Sequence, residues 1–198
     1  MKEIFTGIFQ ENKWRCPESA SGAGSTLGWT KNLRTGLPLL LKGLNVKTFL
    51  DVPCGDFNWA KEIDWGGIHY IGGDIVGSLI EKNIELYDDE NTSFKQIDLS
   101  KDELPKADII LVRDCLMHMS VDDVGKCLKN IRNSDVRYIL ASTYPDKKQN
   151  NTSFKTSAAL SRHNLEAPPL NLPKPILYLN DSNSHVPEKL LGLWENKA

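Results

Sequence analysis

Apolar and polar positions along residues 46–143 follow an alternating pattern of short apolar runs and segments with helical spacing. Each apolar run is four to eight residues long, which is the length typical of a buried strand. The pattern predicts five strands, at residues 46–51, 68–74, 93–98, 107–113 and 136–143.

The segments between these strands predict helices. Leu79, Ile80, Ile84 and Tyr87 share one helix face, and a Ser-Val-Asp-Asp capping pattern at Ser120 opens a helix with its own apolar face. Residues 56–63 predict a further short helix. Strands that alternate with helices favour right-handed crossovers, so we predict a parallel sheet with helices on both faces.

The flanks of this pattern are less regular. Residues 1–25 predict no regular element, whereas Trp29, Leu33, Leu37 and Leu40 predict a helix that Pro38 kinks or restarts. After a polar, proline-rich stretch, residues 176–180 and 190–194 predict an antiparallel pair of strands at one sheet edge.

These elements predict one three-layer α/β domain over residues 1–198. Residues 1–43 are its N-terminal helical cover and residues 44–198 its core. We predict a mostly parallel, seven-stranded sheet with an antiparallel edge.

Composition narrows the partners and the compartment. The chain of 198 residues is 40% hydrophobic and 25% charged, with a net charge of −2, which is ordinary for a globular protein and does not favour nucleic acid. The four cysteines form no C-x-x-C pair, no signal-peptide core opens the chain, and no apolar run approaches the roughly 20 residues of a membrane span. We predict a cytoplasmic protein with no membrane partner and no metal, and we interpret Asp122 and Asp123 as first-turn helix acids.

Candidate chemistry begins where the first predicted strand ends, in the stretch FLDVPCGDFNW. Ligands of open parallel sheets bind beyond the carboxyl ends of the strands, and Asp51 lies at such an end. The dinucleotide fingerprint G-x-G-x-x-G is absent, because only Gly55 remains and Asp56 stands where a second glycine would let a pyrophosphate approach. This argues against the alternative of a nicotinamide-dependent oxidoreductase.

Two more acids end the next predicted strands. Asp74 follows Asp51 by 23 residues, close to the spacing of about 20 that places an acid on ribose hydroxyls, and Asp98 ends the third strand. Three acids at successive strand ends could together bind an adenine, a ribose and an amino-acid ammonium group.

Several segments resemble the class I S-adenosylmethionine (SAM) dependent methyltransferases. The segments are WRCPESASGAGSTLGWT, the first strand end, YIGGDIVGSLIEKN, ADIILVRDCLMHMS, and a tail with NLEAPPLNLPKP and LGLW. The flanking segments resemble a group of short methyltransferases associated with glycan biosynthesis. The resemblance implies a Rossmann-like methyltransferase fold with SAM as cofactor.

The resemblance also implies site residues. Asp51 to Gly55 would surround the methionine part of SAM, Asp74 would bind the ribose, and Asp98 the adenine amine. The cofactor-binding residues that we predict are Trp14, Ser25, Thr26, Asp51, Pro53, Cys54, Gly55, Asp56, Trp59, Asp74, Ile75, Asp98, Leu99 and Arg113.

Methyl transfer to a hydroxyl needs a base, and His118 is the first candidate. It follows Asp114 by four residues, so in a helical turn Asp114 could orient the imidazole. We predict His118 and Asp114 as catalytic, with His163 as the second candidate for the base.

The acceptor implied by the resemblance is a sugar hydroxyl of a glycan or nucleotide sugar. The partners that the resemblance implies are a small-molecule or oligosaccharide acceptor and glycosyltransferases. The segment Pro168-Pro169-Leu170 and Trp14 would form the acceptor pocket. Alternatives are a methyltransferase acting on another small molecule or on a protein, and a non-catalytic SAM-binding module.

Overall fold

The computed structural model describes residues 1–196, which contain one seven-stranded sheet; the last two residues of the predicted core lie outside the described part of the chain. The strands are β1 (Thr48–Asp51), β2 (His69–Asp74), β3 (Thr92–Gln96), β4 (Ile109–Val112), β5 (Tyr138–Thr143), β6 (Leu177–Asn180) and β7 (Leu190–Glu195). Their order in the sheet is β3-β2-β1-β4-β5-β7-β6.

The first five strands run parallel, and β7 is antiparallel to both of its neighbours, β5 and β6. The predicted mostly parallel seven-stranded sheet with an antiparallel edge is therefore confirmed. The strand order reverses between β1 and β4, so the connections that leave these two strands diverge. In open α/β sheets this is where ligands bind.

Within the described residues four α-helices flank the sheet: α1 (Lys2–Gln10), α2 (Lys31–Gly43), α3 (Gly77–Tyr87) and α4 (Val121–Arg132). Short 3₁₀ helices lie at Ala23–Ser25, Ala60–Glu62 and Leu116–His118. The Ser120 side chain accepts a hydrogen bond from the backbone amide of Asp123, so the predicted cap of α4 is confirmed. None of the helices within residues 1–196 has the length and apolar character needed to cross a membrane.

Both faces of the central strand β1 are buried. Phe49 packs in a cluster with Leu37 of α2, while its neighbour Leu50 packs in a second cluster with Val124 of α4. Because successive side chains of a strand point to opposite faces, a strand covered on both faces has a continuous apolar sequence. This explains why the apolar runs identified the strands.

Two local predictions were wrong, and the predicted restart of a helix at Pro38 does not occur. Residues 1–25 contain α1, whose apolar residues Ile4, Phe5, Ile8 and Phe9 recur at the spacing of one helix face. Residues 56–63 form only the 3₁₀ turn Ala60–Glu62. Helix α2 runs through Pro38 without a break.

The continuity of α2 has a physical explanation. A proline inside a helix removes one backbone hydrogen bond and crowds the preceding turn. Leu33, Leu37 and Leu41 are fully buried on both sides of Pro38, so packing in the core stabilises the helix before and after the proline.

Helix α2 provides a test of this packing. We expect Leu37→Ala to lower the free energy of unfolding by about 2–5 kcal/mol, because the substitution leaves a cavity in the core. Leu39→Ala is the matched control on the same helix, since Leu39 is 70% exposed, and we expect a change within about 0.5 kcal/mol. Urea denaturation followed by circular dichroism measures both, and equal losses for the two variants would contradict the packing of α2 described above.

Candidate functional site

A large cavity lies at the carboxyl ends of β1, β2 and β4 and is closed on one side by the N-terminal segment. Its volume is about 960 Å³, including space open to solvent, which is within the range of small-molecule sites. The predicted site residues that line it are Trp14, Ser25, Asp51, Pro53, Cys54, Gly55, Trp59, Asp74, Ile75, Asp98, Leu99, Arg113, Asp114 and His118.

Two predicted cofactor-binding residues are not among the lining residues. The carboxylate of Asp56 instead binds the N-terminal segment: Oδ1 accepts from the hydroxyls of Ser19 (2.9 Å) and Ser21 (3.1 Å), and Oδ2 accepts from the amide of Ala20 (2.7 Å). The Thr26 hydroxyl donates to the carbonyl of Ala23 at 2.9 Å. Asp56 therefore fastens the N-terminal cover to the loop after β1 instead of facing a ligand.

One carboxylate oxygen of Asp51 has no hydrogen-bond partner within residues 1–196. Its Oδ2 accepts a hydrogen bond of 2.7 Å from the Tyr70 hydroxyl, whereas its Oδ1 is buried with no hydrogen-bond partner among residues 1–196. Burial raises the pKa of Asp51 to about 7, and Asp74 adds to this effect, although Tyr70 and Arg113 lower it. An unpaired buried carboxylate oxygen beside a cavity could accept from a donor of a ligand.

Asp74 both shapes the first turn and lines the cavity. Its carboxylate accepts from the amides of Gly55 (3.2 Å) and Val76 (3.0 Å). Burial nevertheless raises its pKa to about 6. Two oxygens offer about four acceptor sites, so two amide bonds leave capacity for hydroxyl donors.

The turn that Asp74 holds requires glycine. Gly55 has a φ of +57°, and a Cβ atom there would lie 2.2 Å from the Ser21 hydroxyl. Its carbonyl accepts a hydrogen bond of 2.8 Å from the side-chain amide of Asn83, which is buried on α3. The sequence analysis missed Asn83, although a polar residue beside Leu79 and Ile80 on an apolar helix face was a usable signal.

Asp98 follows β3 and completes the row of acids on the cavity wall. Its Oδ1 accepts from the amide (3.0 Å) and hydroxyl (2.6 Å) of Ser100, and its Oδ2 lies 3.7 Å from the ammonium group of the exposed Lys101. The neighbouring Leu99, Ile75 and Ile97 form an apolar slot beside it. A flat ring with an amino group would fit these surroundings.

His118 lies at the other end of the cavity, and its hydrogen bond defines its tautomer. The Nδ1 atom is 3.0 Å from the carbonyl oxygen of Ala159, which can only accept, so in the neutral ring Nδ1 carries the proton and Nε2 the lone pair. Burial lowers the pKa of His118. Within residues 1–196, Nε2 makes no hydrogen bond.

Asp114 does not orient His118 as predicted. With a φ of +49°, Asp114 lies in the left-handed region, so the two residues do not share the face of a regular helical turn. The Asp114 carboxylate instead contacts Lys189 Nζ at 2.9 and 3.1 Å, while a backbone carbonyl orients the imidazole. The sequence analysis also missed Lys189, because no local pattern links residues 75 positions apart.

Aromatic side chains of the N-terminal cover surround His118. The Trp14 ring centroid lies 5.5 Å from that of His118, and the Phe5 centroid lies 6.5 Å away in an edge-to-face arrangement. Phe9 lines the same cavity. Helix α1, which the sequence analysis did not predict, therefore provides part of the wall.

Other sequence candidates lie elsewhere. His163, the second candidate for the base, is buried outside the lining of this cavity, with Nε2 3.0 Å from the carbonyl of Met119. The predicted contribution of the segment Pro168-Pro169-Leu170 to the acceptor pocket is wrong, because Pro169 and Leu170 line a separate groove along α4. Within residues 1–196 no three His, Cys, Asp or Glu side chains are grouped as a metal site requires.

Comparison with known proteins gives similarity at the level of structure alone, since no protein-family model and no curated protein sequence matches the chain. Human N-acetylserotonin methyltransferase, solved in complex with SAM, has a TM-score of 0.67 at 13% identity over 99% of this chain. The chain has the fold of the SAM-dependent methyltransferases.

Two bacterial methyltransferases support the same assignment of the fold. The Burkholderia thailandensis 1,6-didemethyltoxoflavin-N1-methyltransferase, solved with its named acceptor and S-adenosylhomocysteine, has a TM-score of 0.60 at 13% identity and covers 100% of this chain. The methyltransferase domain of bacterial CtHen1-CN has a TM-score of 0.61 at 15% identity over 84% of this chain. The chain spans 59% of the human enzyme, 87% of the Burkholderia enzyme and 98% of the CtHen1-CN domain.

The attachment of the cover through Asp56 can be tested without a ligand. We expect Asp56→Ala to speed amide hydrogen exchange at residues 19–22 and to cost about 1–3 kcal/mol of stability, because the substitution removes the acceptor of three hydrogen bonds. Asp88→Ala, at an exposed carboxylate after α3, is the control. Unchanged exchange at Ala20 in the Asp56 variant would show that the cover is held by other contacts.

Proposed function

We propose that the protein is a SAM-dependent methyltransferase that acts on a hydroxyl group. The observation that carries the proposal is the row Asp51, Asp74 and Asp98 along one cavity wall, with a neutral histidine at the other end. The methyltransferase fold supports it, because this fold brings the three strand ends together.

The acids fit the donor groups of SAM in number and kind. The unpartnered Oδ1 of Asp51 would accept from the ammonium of the methionine part, Asp74 from the ribose hydroxyls, and Asp98 from the adenine amine. Ile75 and Leu99 would line the adenine slot. When bound, SAM supplies a methyl group on a positively charged sulfur, which is already activated for displacement.

The remaining chemistry falls to His118. As the acceptor oxygen forms its bond to the methyl carbon and the carbon–sulfur bond breaks, Nε2 would take the hydroxyl proton. A neutral ring with a free Nε2 lone pair suits this role, since burial keeps the pKa low and Ala159 holds the proton on Nδ1. Packing of the half-buried Trp14 and Phe5 against the ring would exclude water there.

For the acceptor, we propose a sugar hydroxyl of a glycan or nucleotide sugar. Support comes from the resemblance of the flanking segments to glycan-associated methyltransferases and from the aromatic side chains beside His118, on which a sugar ring could stack. The fold does not select an acceptor, because the names of its structural neighbours refer to N-acetylserotonin and 1,6-didemethyltoxoflavin. A cytoplasmic location, the absence of a nucleic-acid, membrane or metal partner, and association with glycosyltransferases stay predictions.

The proposed cofactor site predicts a pH dependence. The pKa of Asp51 is raised to about 7 in the free protein, and a bound ammonium favours the ionised form, so binding releases a proton below that pH. SAM affinity should therefore rise from pH 5.5 to 7, by up to about tenfold per pH unit, and then level off. Calorimetry in two buffers with different ionisation enthalpies measures both affinity and proton release.

A control variant separates the contribution of Asp51 to the pH dependence of SAM affinity from the contributions of neighbouring residues. Asp74, whose pKa is about 6, contributes at the lower end of this range, and Tyr70 and Arg113 also face Asp51. Asp51→Asn should remove the rise between pH 6 and 7 and leave the part due to Asp74. A SAM affinity that does not change between pH 6 and 7 in the wild type would contradict the role of Asp51.

Activity tests the function itself. Mass spectrometry of products formed with SAM over panels of sugars, small phenols, peptides and RNA should find a methylated sugar. A product on a peptide or RNA with sugars inert would refute the acceptor class and retain the methyltransferase. SAM binding without turnover on any panel would favour the non-catalytic SAM-binding module.

The base is tested with the acceptor that this screen identifies. We expect His118→Ala to lower kcat about 10²- to 10⁴-fold with little change in SAM affinity, because the substitution removes the proton acceptor. His185→Ala is the control, since His185 stacks on Trp29 away from the cavity. Full activity of the His118 variant would move the role of base to another residue.

A further inference from the structure

Four charged side chains meet at the end of β4, and three of them are almost completely buried. The guanidinium of Arg113 binds the Asp181 carboxylate through Nε (2.9 Å) and Nη2 (3.1 Å). The Lys189 ammonium lies 3.0 Å from Asp181 and 2.9 Å from Asp114, and Arg113 Nη1 lies 3.3 Å from Asp114. Two cations and two anions therefore form one closed cluster with no net charge.

The cluster joins distant parts of the chain. Arg113 and Asp114 follow β4, whereas Asp181 and Lys189 lie at the two ends of the connection between β6 and β7, 68 and 75 residues further on. Burying charges is costly unless every group is paired and hydrogen-bonded, and here each buried member has its partners. This connection is therefore fixed to the end of β4.

Asp114 is the member of the cluster that faces the cavity. Its side chain is 21% exposed, against 0–3% for the other three, and it lines the cavity wall. Its own amide donates to the Ser142 hydroxyl at 3.0 Å, and a Cβ atom on Gly24 would lie 2.7 Å from its Oδ2. The carboxylate is thus held by two cations and lies close to the backbone of Gly24.

The charged and titratable groups around Asp114 favour its ionised form. Burial alone would raise the pKa of Asp114, but Arg113 and Lys189 lower it below its usual value, and His118 adds to this effect. Asp181 is an anion on the far side of the two cations. An ionised carboxylate offers acceptors alone, so a group that binds Asp114 has to be a donor.

We propose that Lys189 and Asp181 are positioning residues that hold the Asp114 carboxylate as a fixed acceptor for a second donor group of the methyl acceptor. This inference rests on the proposed function. His118 Nε2 would accept from the hydroxyl that is methylated, and Asp114 would accept from another hydroxyl or an amino group of the same molecule. The substrate class is therefore a molecule with at least two hydrogen-bond donors, such as a diol or an amino alcohol.

The test uses variants that separate charge from shape. Lys189→Met removes the cation, Lys189→Arg retains it, and Asp114→Asn keeps the size of the side chain while it removes the negative charge. Lys126→Met is the matched control, because Lys126 is an exposed lysine paired with Asp123 at 2.8 Å on α4. Carbon-13 NMR of labelled aspartate carboxyl groups then follows the Asp114 signal, assigned by its loss in Asp114→Asn.

Two results are expected. The pKa of Asp114 should rise in Lys189→Met, return toward the wild-type value in Lys189→Arg, and stay unchanged in Lys126→Met. In the wild type, two-donor probes (catechol and methyl α-D-glucopyranoside) should shift the Asp114 carboxyl signal, whereas phenol should not. A cross-link that serves stability alone would not give this selectivity between probes.

Kinetics give a further readout once an acceptor is identified. The KM for that acceptor should be at least about tenfold lower than the KM for an analogue that lacks the second donor. Asp114→Asn should remove this difference in KM. The fall in kcat in Asp114→Asn should be smaller than the fall in His118→Ala. An unchanged Asp114 pKa in Lys189→Met, or no response of Asp114 to any two-donor probe, would overturn the inference. If Lys189→Met does not fold, an unchanged KM preference of Asp114→Asn for the two-donor acceptor would overturn the inference as well. Failure of the wild type to bind SAM in calorimetry would instead refute the proposed function.

Discussion

The buried carboxylate of Asp51 at the end of β1 is the constraint on which the site depends. A carboxylate removed from water is stable only when its oxygens have donors, and the protein provides Tyr70 for one oxygen and none within residues 1–196 for the other. A pKa near 7 is the consequence in the free protein. The sheet packing that buries Asp51 therefore leaves one carboxylate oxygen that could accept a hydrogen bond from a ligand. A cationic donor would stabilise the ionised carboxylate best.

The same region explains why the two ends of the chain close over the sheet. The turn after β1 exposes Asp56, which binds the N-terminal segment, and Gly55 has no side chain to obstruct that approach. At the end of β4, Lys189 from the C-terminal hairpin reaches Asp114. The acids at the strand ends thus divide into those that face the cavity and those that fasten its walls.

The sequence predicted the central sheet and the strand-end acids because both depend on local patterns. A strand buried on both faces, such as β1, is recognisable from its apolar run, and Asp51 and Asp74 end β1 and β2. Asp98 follows the more polar strand β3 by two residues. The direction of a side chain in an irregular turn has no such signal, so Asp56 was placed on the ligand side. Lys189 was missed because its burial depends on a tertiary contact with Asp114, which no local spacing encodes.

The end of the cavity near His118 combines two groups whose surroundings both favour the deprotonated form. Burial lowers the pKa of His118 and keeps the ring neutral, while Arg113 and Lys189 lower the pKa of Asp114 and keep the carboxylate charged. Under the proposed function the two groups would have separate roles, because a neutral imidazole can take a proton that an ionised carboxylate with a lowered pKa would bind only weakly. A direct bond from Asp114 to the imidazole would raise the pKa of His118 beyond the rise that the charge of Asp114 already causes, and would use the capacity of the carboxylate to receive a second donor. The cluster around Lys189 prevents this by occupying the carboxylate from the protein side and leaving its cavity side free.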